Sequence, residues 1–115
     1  MGEKPFDYQF SPLAEKDLDD IIDYIARNLS APQAASDLID RIQSAVEHIC
    51  DFPFSRPLLK NRVLRKKGYR LLIVDRFNLF YVVEGNVLVI RRVMHGSRDY
   101  VNLLQSQSGA QGSDE

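Results

Sequence analysis

The second half of the chain constrains the fold most, because three apolar runs follow one another with only short polar stretches between them. Residues 69–74 and 79–83 are rich in aliphatic and aromatic side chains, which favours strands on either side of a turn at 75–78. Residues 84–86, Glu-Gly-Asn, favour a tight hairpin into a third strand at 87–95. The sequence therefore predicts a three-stranded antiparallel meander.

The last of these strands begins with four consecutive apolar residues, 87–90, which is typical of a strand inside a sheet. Two arginines follow. Because neighbouring side chains of a strand point to opposite faces, strict alternation places Arg91 on the face of Val93. Arg92 then shares the other face with Ile90. We expect one arginine to reach an open face of the sheet, and the other to lie at a rim or pair with a helix carboxylate.

The first part of the chain predicts a strand and an amphipathic helix. Residues 6–10 alternate aromatic and polar side chains, as a short strand does. Ser11 followed by Pro12 is typical of a helix start, since serine accepts a bond from a free backbone N–H and proline lacks a donor that the helix does not use. The apolar face of this helix comprises Ala14, Leu18, Ile21, Ile22, Ile25 and Leu29.

A second helix is predicted to follow directly, because Ser30 and Gln33 have the spacing of a capping box. Apolar side chains then recur at helical intervals over 35–52, so the two helices are expected to form a hairpin. The prolines of 52–57 favour an extended or turning segment. The basic run 60–68 is compatible with a helical turn or an edge strand.

These elements predict an α+β fold, in which an N-terminal strand, a helical hairpin and the antiparallel meander form one small sheet with the hairpin on one face. The other face is then either covered or the working surface. A short C-terminal helix is expected at 97–104, docked by Tyr100, Val101, Leu103 and Leu104. We expect residues 1–104 to form a single domain and the polar residues 105–115 to form a disordered tail.

Charge is distributed very unevenly behind a net charge of −1. Residues 1–55 carry four basic and eleven acidic side chains, whereas residues 56–98 carry eleven basic and two acidic ones. The second half therefore predicts a basic surface that suits nucleic acid or an acidic protein partner.

Other features limit the class of protein. The single cysteine, Cys50, lies among apolar residues and is expected to be a small core residue. The chain has neither a long apolar run nor a signal-peptide pattern, so a cytoplasmic protein without membrane contact is expected. His48 and His95 have no Cys or Asp partners at ligand spacing, and the glycines form no phosphate loop. Neither a metal nor another cofactor is implied.

Several short motifs occur in an order that is typical of one family. They are residues 8–12 (YQFSP), the pattern A..DL..I..YI over 14–25, Pro53 with Arg56, Gly68-Tyr69-Arg70, Tyr81, and the more specific RVMHGSRD at 92–99. Over roughly residues 6–104 the sequence resembles the RelE/ParE superfamily, the toxins of type II toxin–antitoxin systems that include plasmid stabilisation proteins.

The resemblance implies a growth-inhibiting toxin that is held inactive by a cognate antitoxin, with which it would form a hetero-oligomer. Members similar to RelE are mRNA interferases that cut mRNA in the ribosomal A site. Members similar to ParE poison DNA gyrase and are not nucleases. The expected target is therefore either gyrase or the ribosome with its mRNA.

The resemblance also implies roles for particular residues. In the ribonuclease branch, cations on the sheet stabilise the phosphorane while a tyrosine or histidine near the C-terminus moves protons. Arg70 and Arg98 match such cations, and His95 or Tyr100 would handle the protons. The wider set of expected target-binding residues is Arg70, Arg91, Arg92, Arg98, Tyr81, Lys66 and Lys67.

The sequence departs from the ribonuclease branch at three positions. In an ungapped alignment the strand lysines of that branch fall on Tyr69 and Leu71, and its strand arginine falls on Asn78, although a register shift would bring Arg70 into place. Its members also tend to be strongly basic, whereas this chain has a net charge of −1. We therefore favour gyrase poisoning, with ribosome-dependent mRNA cleavage as the alternative and an inactive antitoxin-binding member as a third, weaker one.

Overall fold

The computed structural model describes residues 6–96 and 99–105. In chain order the elements are β1 (Asp7–Phe10), α1 (Pro12–Asp23) with a π-helical continuation (Tyr24–Asn28), α2 (Pro32–Ile49), α3 (Arg62–Lys66), β2 (Arg70–Val74), β3 (Phe77–Glu84), β4 (Val87–His95) and the helical residues 100–105, named α4. This is the predicted α+β order. The basic run between α2 and β2 forms a helical turn, and the predicted tail lies outside the described residues beyond position 105.

The four strands form one sheet in the order β1-β4-β3-β2. β1 runs parallel to β4, whereas β2, β3 and β4 form the predicted antiparallel meander. The strand that begins with four apolar residues is therefore inside the sheet, because both of its edges are paired. Leu88 and Ile90 are fully buried there.

The turn between β2 and β3 is shorter than predicted. β3 begins at Phe77, which is opposite Val74, so the turn consists of Asp75 and Arg76 and not of residues 75–78. Asp75 adopts a φ of +55°, and aspartate tolerates this left-handed conformation better than most residues. Two-residue hairpin turns of the favoured types need such a positive φ at their first residue.

A β-bulge interrupts the pairing of β3 with β4. Phe80 is opposite Arg92, while the next residue, Tyr81, is opposite Ile90. Arg91 is therefore the extra residue on β4, and it has no counterpart on β3.

The bulge makes the predicted alternation of side chains wrong beyond Ile90. Ile90 packs in the same apolar cluster as Val93, and Val89 packs with Met94 on the other face. In each case the number of intervening residues is inconsistent with strict alternation, because one inserted residue moves every later side chain to the opposite face.

The start of α1 agrees with the prediction. The hydroxyl of Ser11 accepts a hydrogen bond of 3.1 Å from the backbone N–H of Ala14, and Pro12 is the first helical residue. The same hydroxyl donates to the carbonyl oxygen of Arg91 at 3.0 Å. The helix start is therefore attached directly to the bulged residue of β4.

The predicted capping box at Ser30 and Gln33 is wrong. Ser30 has a φ of +51°, and its N–H donates to the carbonyl of Arg27, so it belongs to the end of the first helix. A helix N-cap requires an extended backbone, which Ser30 does not have. Ala31 is the N-cap residue instead, without a side-chain hydrogen bond, and α2 ends at Ile49.

Apolar side chains of α1 and α2 pack against one face of the sheet and form what we call the helix-side core. Its buried members are Ala14, Leu38, Ile42, Val46, Ile49, Cys50, Leu72, Val74, Leu79, Tyr81, Leu88, Ile90 and Val93. Cys50 is completely buried among them, as its apolar neighbours predicted. The hairpin therefore covers one face of the sheet.

The other face of the sheet, which the sequence left either covered or open, is covered too. α3 and α4 lie over it and form what we call the second core, whose buried members are Leu59, Leu64, Tyr69, Phe80, Val82, Val89, Met94 and Leu104. Tyr100 and Leu103 pack against this core, as predicted for the C-terminal helix. The strand side chains over this region are therefore packing residues and not an open working surface.

Candidate functional site

Arg92 is held to α1 by an ion pair that is largely buried. Its Nε and Nη2 atoms donate to the two carboxylate oxygens of Asp17 at 2.7 and 3.0 Å. The backbone N–H of Val93 donates to the same carboxylate at 2.9 Å. The two side chains are only 13% and 14% exposed. The prediction that one strand arginine pairs with a helix carboxylate is confirmed.

Arg91 extends along the β3–β4 hairpin. Its Nη1 lies 3.4 Å from a carboxylate oxygen of Glu84, near the other end of that hairpin. Glu84 is mostly exposed, whereas Arg91 is 22% exposed. This long, partly solvated contact orients the arginine and contributes little stability.

Arg70 and Tyr81 are opposite each other in the strand register, and both bind the segment 53–56 that follows α2. The Tyr81 hydroxyl donates to the carbonyl oxygen of Pro53 at 2.8 Å. Nη1 of Arg70 donates to the carbonyl oxygens of Phe54 and Arg56. The Arg70 guanidinium also lies 5.2 Å from the centre of the Phe54 ring. These contacts hold the segment against the sheet.

Burial raises the pKa of Tyr81 to about 12, although the positive charges of Arg70 and Arg56 oppose this shift. The hydroxyl is therefore protonated at neutral pH, which fits its role as a hydrogen-bond donor to Pro53. A phenol with such a pKa is a poor general base near neutrality.

His95 lies at the rim of a groove of about 510 Å³ between the C-terminal half of the first helix and the start of β3. Ile21, Ile25 and Phe77 contribute apolar walls. The His95 ring packs edge-on against Phe77, with the ring centres 5.7 Å apart. Aromatic and aliphatic walls with a polar rim are typical of a binding groove.

The π-helical turn shapes this groove. The N–H of Leu29 donates to the carbonyl of Tyr24 at 3.2 Å, five residues earlier, which widens the last turn of the helix. Tyr24 and Leu29 both line the groove and remain 54% and 55% exposed. π-helical turns occur frequently at functional sites. Asp20 and Arg76 add charges of both signs to the lining.

The predicted acid–base residues do not come together. Tyr100 stacks on Phe80 with ring centres 4.9 Å apart, on the second-core side of the sheet. His95 is opposite Phe77 and belongs to the groove on the helix side. Arg70 is opposite Tyr81, which is four residues beyond Phe77 on β3. Arg70 and His95 are therefore about 13 Å apart along the strand direction. Arg98 lies outside the described residues.

Lys66 and Lys67 lie at the end of α3 and are exposed. They belong to a larger basic surface, and they are its two members among the predicted target-binding residues. Nothing in the sequence predicts a site at this groove, because the π-helical turn has no sequence signature and Phe77 lies within the predicted turn 75–78. Within 6–96 and 99–105, no three metal-binding side chains cluster, and no helix is long and apolar enough to cross a membrane.

We predict that Asp17→Asn destabilises the fold strongly, because it leaves the buried Arg92 without a counter-charge. The expected loss in the free energy of unfolding is about 3 kcal/mol. The matched control is Asp23→Asn, which removes an exposed pair with Arg27 and should cost less than about 0.5 kcal/mol. Urea denaturation of both variants measures the difference, and equal losses would contradict a structural role for Asp17.

The raised pKa of Tyr81 predicts an alkaline loss of stability. The folded-state pKa of about 12 lies above the unfolded value of 10.0. The contribution of the protonated Tyr81 hydroxyl to stability is therefore complete below pH 10 and is lost as the pH rises towards 12. Between pH 10 and pH 12 the free energy of unfolding should fall by about 2 kcal/mol more in the wild type than in Tyr81→Phe. Urea titrations at both pH values test this, and parallel losses in the two proteins would contradict it.

Comparisons with known proteins show the family to which this chain belongs. The family model described as the ParE toxin of the type II toxin–antitoxin system parDE matches residues 8–100. None of the curated proteins matches the chain significantly.

Two solved structures share the fold. The chromosomal ParDE toxin–antitoxin system from P. aeruginosa superposes with a TM-score of 0.65 at 21% identity, covering 81% of this chain and 98% of that one. The toxin–antitoxin complex RelBE2 from Mycobacterium tuberculosis superposes with a TM-score of 0.55 at 18% identity, covering 79% and 98%. The family match extends over most of the chain and includes the strand, the helical hairpin and the meander. This chain belongs to the ParE toxins of type II toxin–antitoxin systems, within the RelE/ParE superfamily.

Proposed function

We propose that this toxin poisons DNA gyrase by binding it and does not itself cleave RNA. The observation that supports this most directly is the separation of the residues expected to form a ribonuclease site. Arg92 is paired with Asp17, Arg70 and Tyr81 hold the segment 53–56, and Tyr100 packs on the second core.

Ribonuclease chemistry needs these groups in one place. A general base, a general acid and the cations that stabilise the phosphorane must all lie within hydrogen-bond distance of one phosphodiester. Here Arg70 and His95 are about 13 Å apart along the strand direction, and Tyr100 is on the opposite face from His95. A binding function needs no such convergence.

Two further positions argue in the same direction. Tyr69 and Leu71 align with strand lysines of the ribonuclease branch, and here they pack in or against the second core. Tyr69 is 1% exposed, so a charged side chain would be costly at this position. The face on which that branch places its cations is a hydrophobic core in this protein.

Ribosome-dependent mRNA cleavage is the second candidate, and the position of His95 favours it. This histidine is exposed at the end of β4 and belongs to the RVMHGSRD motif at 92–99, which also contains Arg98. A histidine there is accessible to an RNA substrate.

We also infer that a cognate antitoxin neutralises this toxin by placing an amphipathic segment in the His95 groove. The two solved structures are, by their titles, toxin–antitoxin assemblies. Exposed Tyr24 and Leu29 provide apolar contacts, and Arg76 at the rim provides a cation for an acidic side chain.

The target is tested by two parallel assays of the purified toxin. One measures trapped cleavage complexes of gyrase on plasmid DNA, and the other measures breaks in a reporter mRNA by primer extension in a reconstituted translation reaction. We expect linearised plasmid and intact mRNA. Ribosome-dependent breaks within codons that disappear in His95→Ala or Arg98→Ala would overturn the proposal in favour of the mRNA interferase.

The groove predicts where antitoxin binding is sensitive to substitution. Leu29→Glu introduces a charge into the groove and should weaken binding of the neighbouring gene product by at least tenfold. Ile73→Glu is the matched control, since Ile73 is 60% exposed on the other side of the sheet, and it should change affinity less than twofold. Titration calorimetry measures the affinity of both variants for the neighbouring gene product. A loss of affinity in the control alone would exclude the groove as the antitoxin site.

A further inference from the structure

A dense group of cations surrounds α3. Its members are Lys60, Arg62, Arg65, Lys66 and Lys67, which we call the α3 basic cluster, and all of them are exposed. The whole stretch 52–74 contains no aspartate or glutamate. Five positive charges within eight consecutive residues concentrate positive charge on this short segment.

No acidic side chain of the described residues neutralises this cluster. The ion pairs within 6–96 and 99–105 all involve cations of other elements: Lys16, Arg27, Arg41, Arg91 and Arg92. Among the described residues, five of the eight other Lys and Arg side chains form ion pairs, whereas the cluster forms none. A local positive field of this kind attracts a polyanion.

The cluster is carried on a firmly anchored turn. Leu64 is completely buried in the second core. Its N–H donates to the Asn61 side-chain oxygen at 3.0 Å, and its carbonyl accepts from the N–H of Tyr69 at 3.1 Å. The N–H of Leu59 donates to the carbonyl of Tyr69 at 3.0 Å. The backbone that carries the five cations is thus bonded at Leu59 and at Leu64 to Tyr69, which directly precedes β2, so little ordering is needed when a ligand binds.

We propose that the α3 basic cluster binds the phosphate backbone of duplex DNA, and so adds a DNA contact when the toxin engages gyrase on its substrate. This inference deepens the proposed gyrase function and rests on it for its biological setting. The composition of the surface favours DNA over a protein partner. Val63 is the exposed large apolar residue on α3, whereas protein interfaces depend on several apolar anchors and are depleted in lysine.

The position of the cluster also separates it from the His95 groove. The cluster lies on the second-core side of the sheet, through Leu64, while the groove is lined by the first helix on the other side. An antitoxin segment in the groove would therefore leave the cluster accessible. The two surfaces can be altered independently.

The test uses fluorescence anisotropy of the full-length protein with a labelled 30-base-pair duplex between 50 and 200 mM salt. The cluster variant carries the three substitutions Arg65→Gln, Lys66→Gln and Lys67→Gln. At the lowest salt it should bind the duplex at least tenfold more weakly than the wild type does. Its slope of log affinity against log salt should be shallower by about 3, because each phosphate contact contributes about 0.9.

The matched control is Lys16→Gln/Arg27→Gln/Arg41→Gln, which removes the same charge from exposed pairs elsewhere. It should bind duplex within twofold of wild type. Equal losses in the two triple variants, or a wild type that does not bind duplex, would overturn the inference. It would also fall if the cluster variant lost affinity for the antitoxin and not for DNA, since the cluster would then be a protein site.

Gyrase assays separate this inference from the proposed function. If the wild type traps gyrase cleavage complexes and the cluster variant traps them equally well without a change in duplex affinity, gyrase poisoning stands and the DNA contact is excluded. If the wild type binds duplex through the cluster but never traps gyrase, the DNA contact stands and gyrase poisoning is excluded.

Discussion

The carboxylate of Asp17 is the contact on which the arrangement of helix and sheet depends. It receives two hydrogen bonds from Arg92 and one from the backbone of Val93, directly after the bulge in β4. Ser11 binds the carbonyl of the bulged residue Arg91 from the start of the same helix. The first helix is thus attached to the inner strand at two points, and the groove lined by its later turns inherits its position from them.

The sequence predicted the parts of this arrangement that depend on local patterns. Consecutive apolar residues identified β4 as an inner strand, and Ser11 with Pro12 marked the start of α1. The bulge was missed because it depends on the register between two strands, and a single extra residue at Arg91 leaves no trace in composition. The capping box failed for a related reason: the left-handed backbone at Ser30 is set by how the preceding helix ends.

The candidate site was predictable only in outline. The excess of positive charge in the second half indicated a basic surface, and α3 carries its densest part. The groove depends on the hydrogen bond from Leu29 to Tyr24 that converts the last helical turn into a π-helix, and residue type alone does not specify this change. Arg70 and Tyr81 were singled out by the resemblance, yet their contacts with the segment 53–56 could be assigned only from the fold.

The second core limits the chemistry that its face of the sheet can carry. A sheet face can be an open cationic surface or a packing surface, but not both over the same residues. Here Tyr69 is buried and Leu71 packs against the same core, beneath Leu64 of α3 and Leu104 of α4. In the ungapped alignment these two positions correspond to the strand lysines of the ribonuclease branch. The cations of this region lie on the outer side of α3 instead. Among the described residues, the packing that closes this second face leaves it no open surface for a cationic site, which supports the proposed binding function.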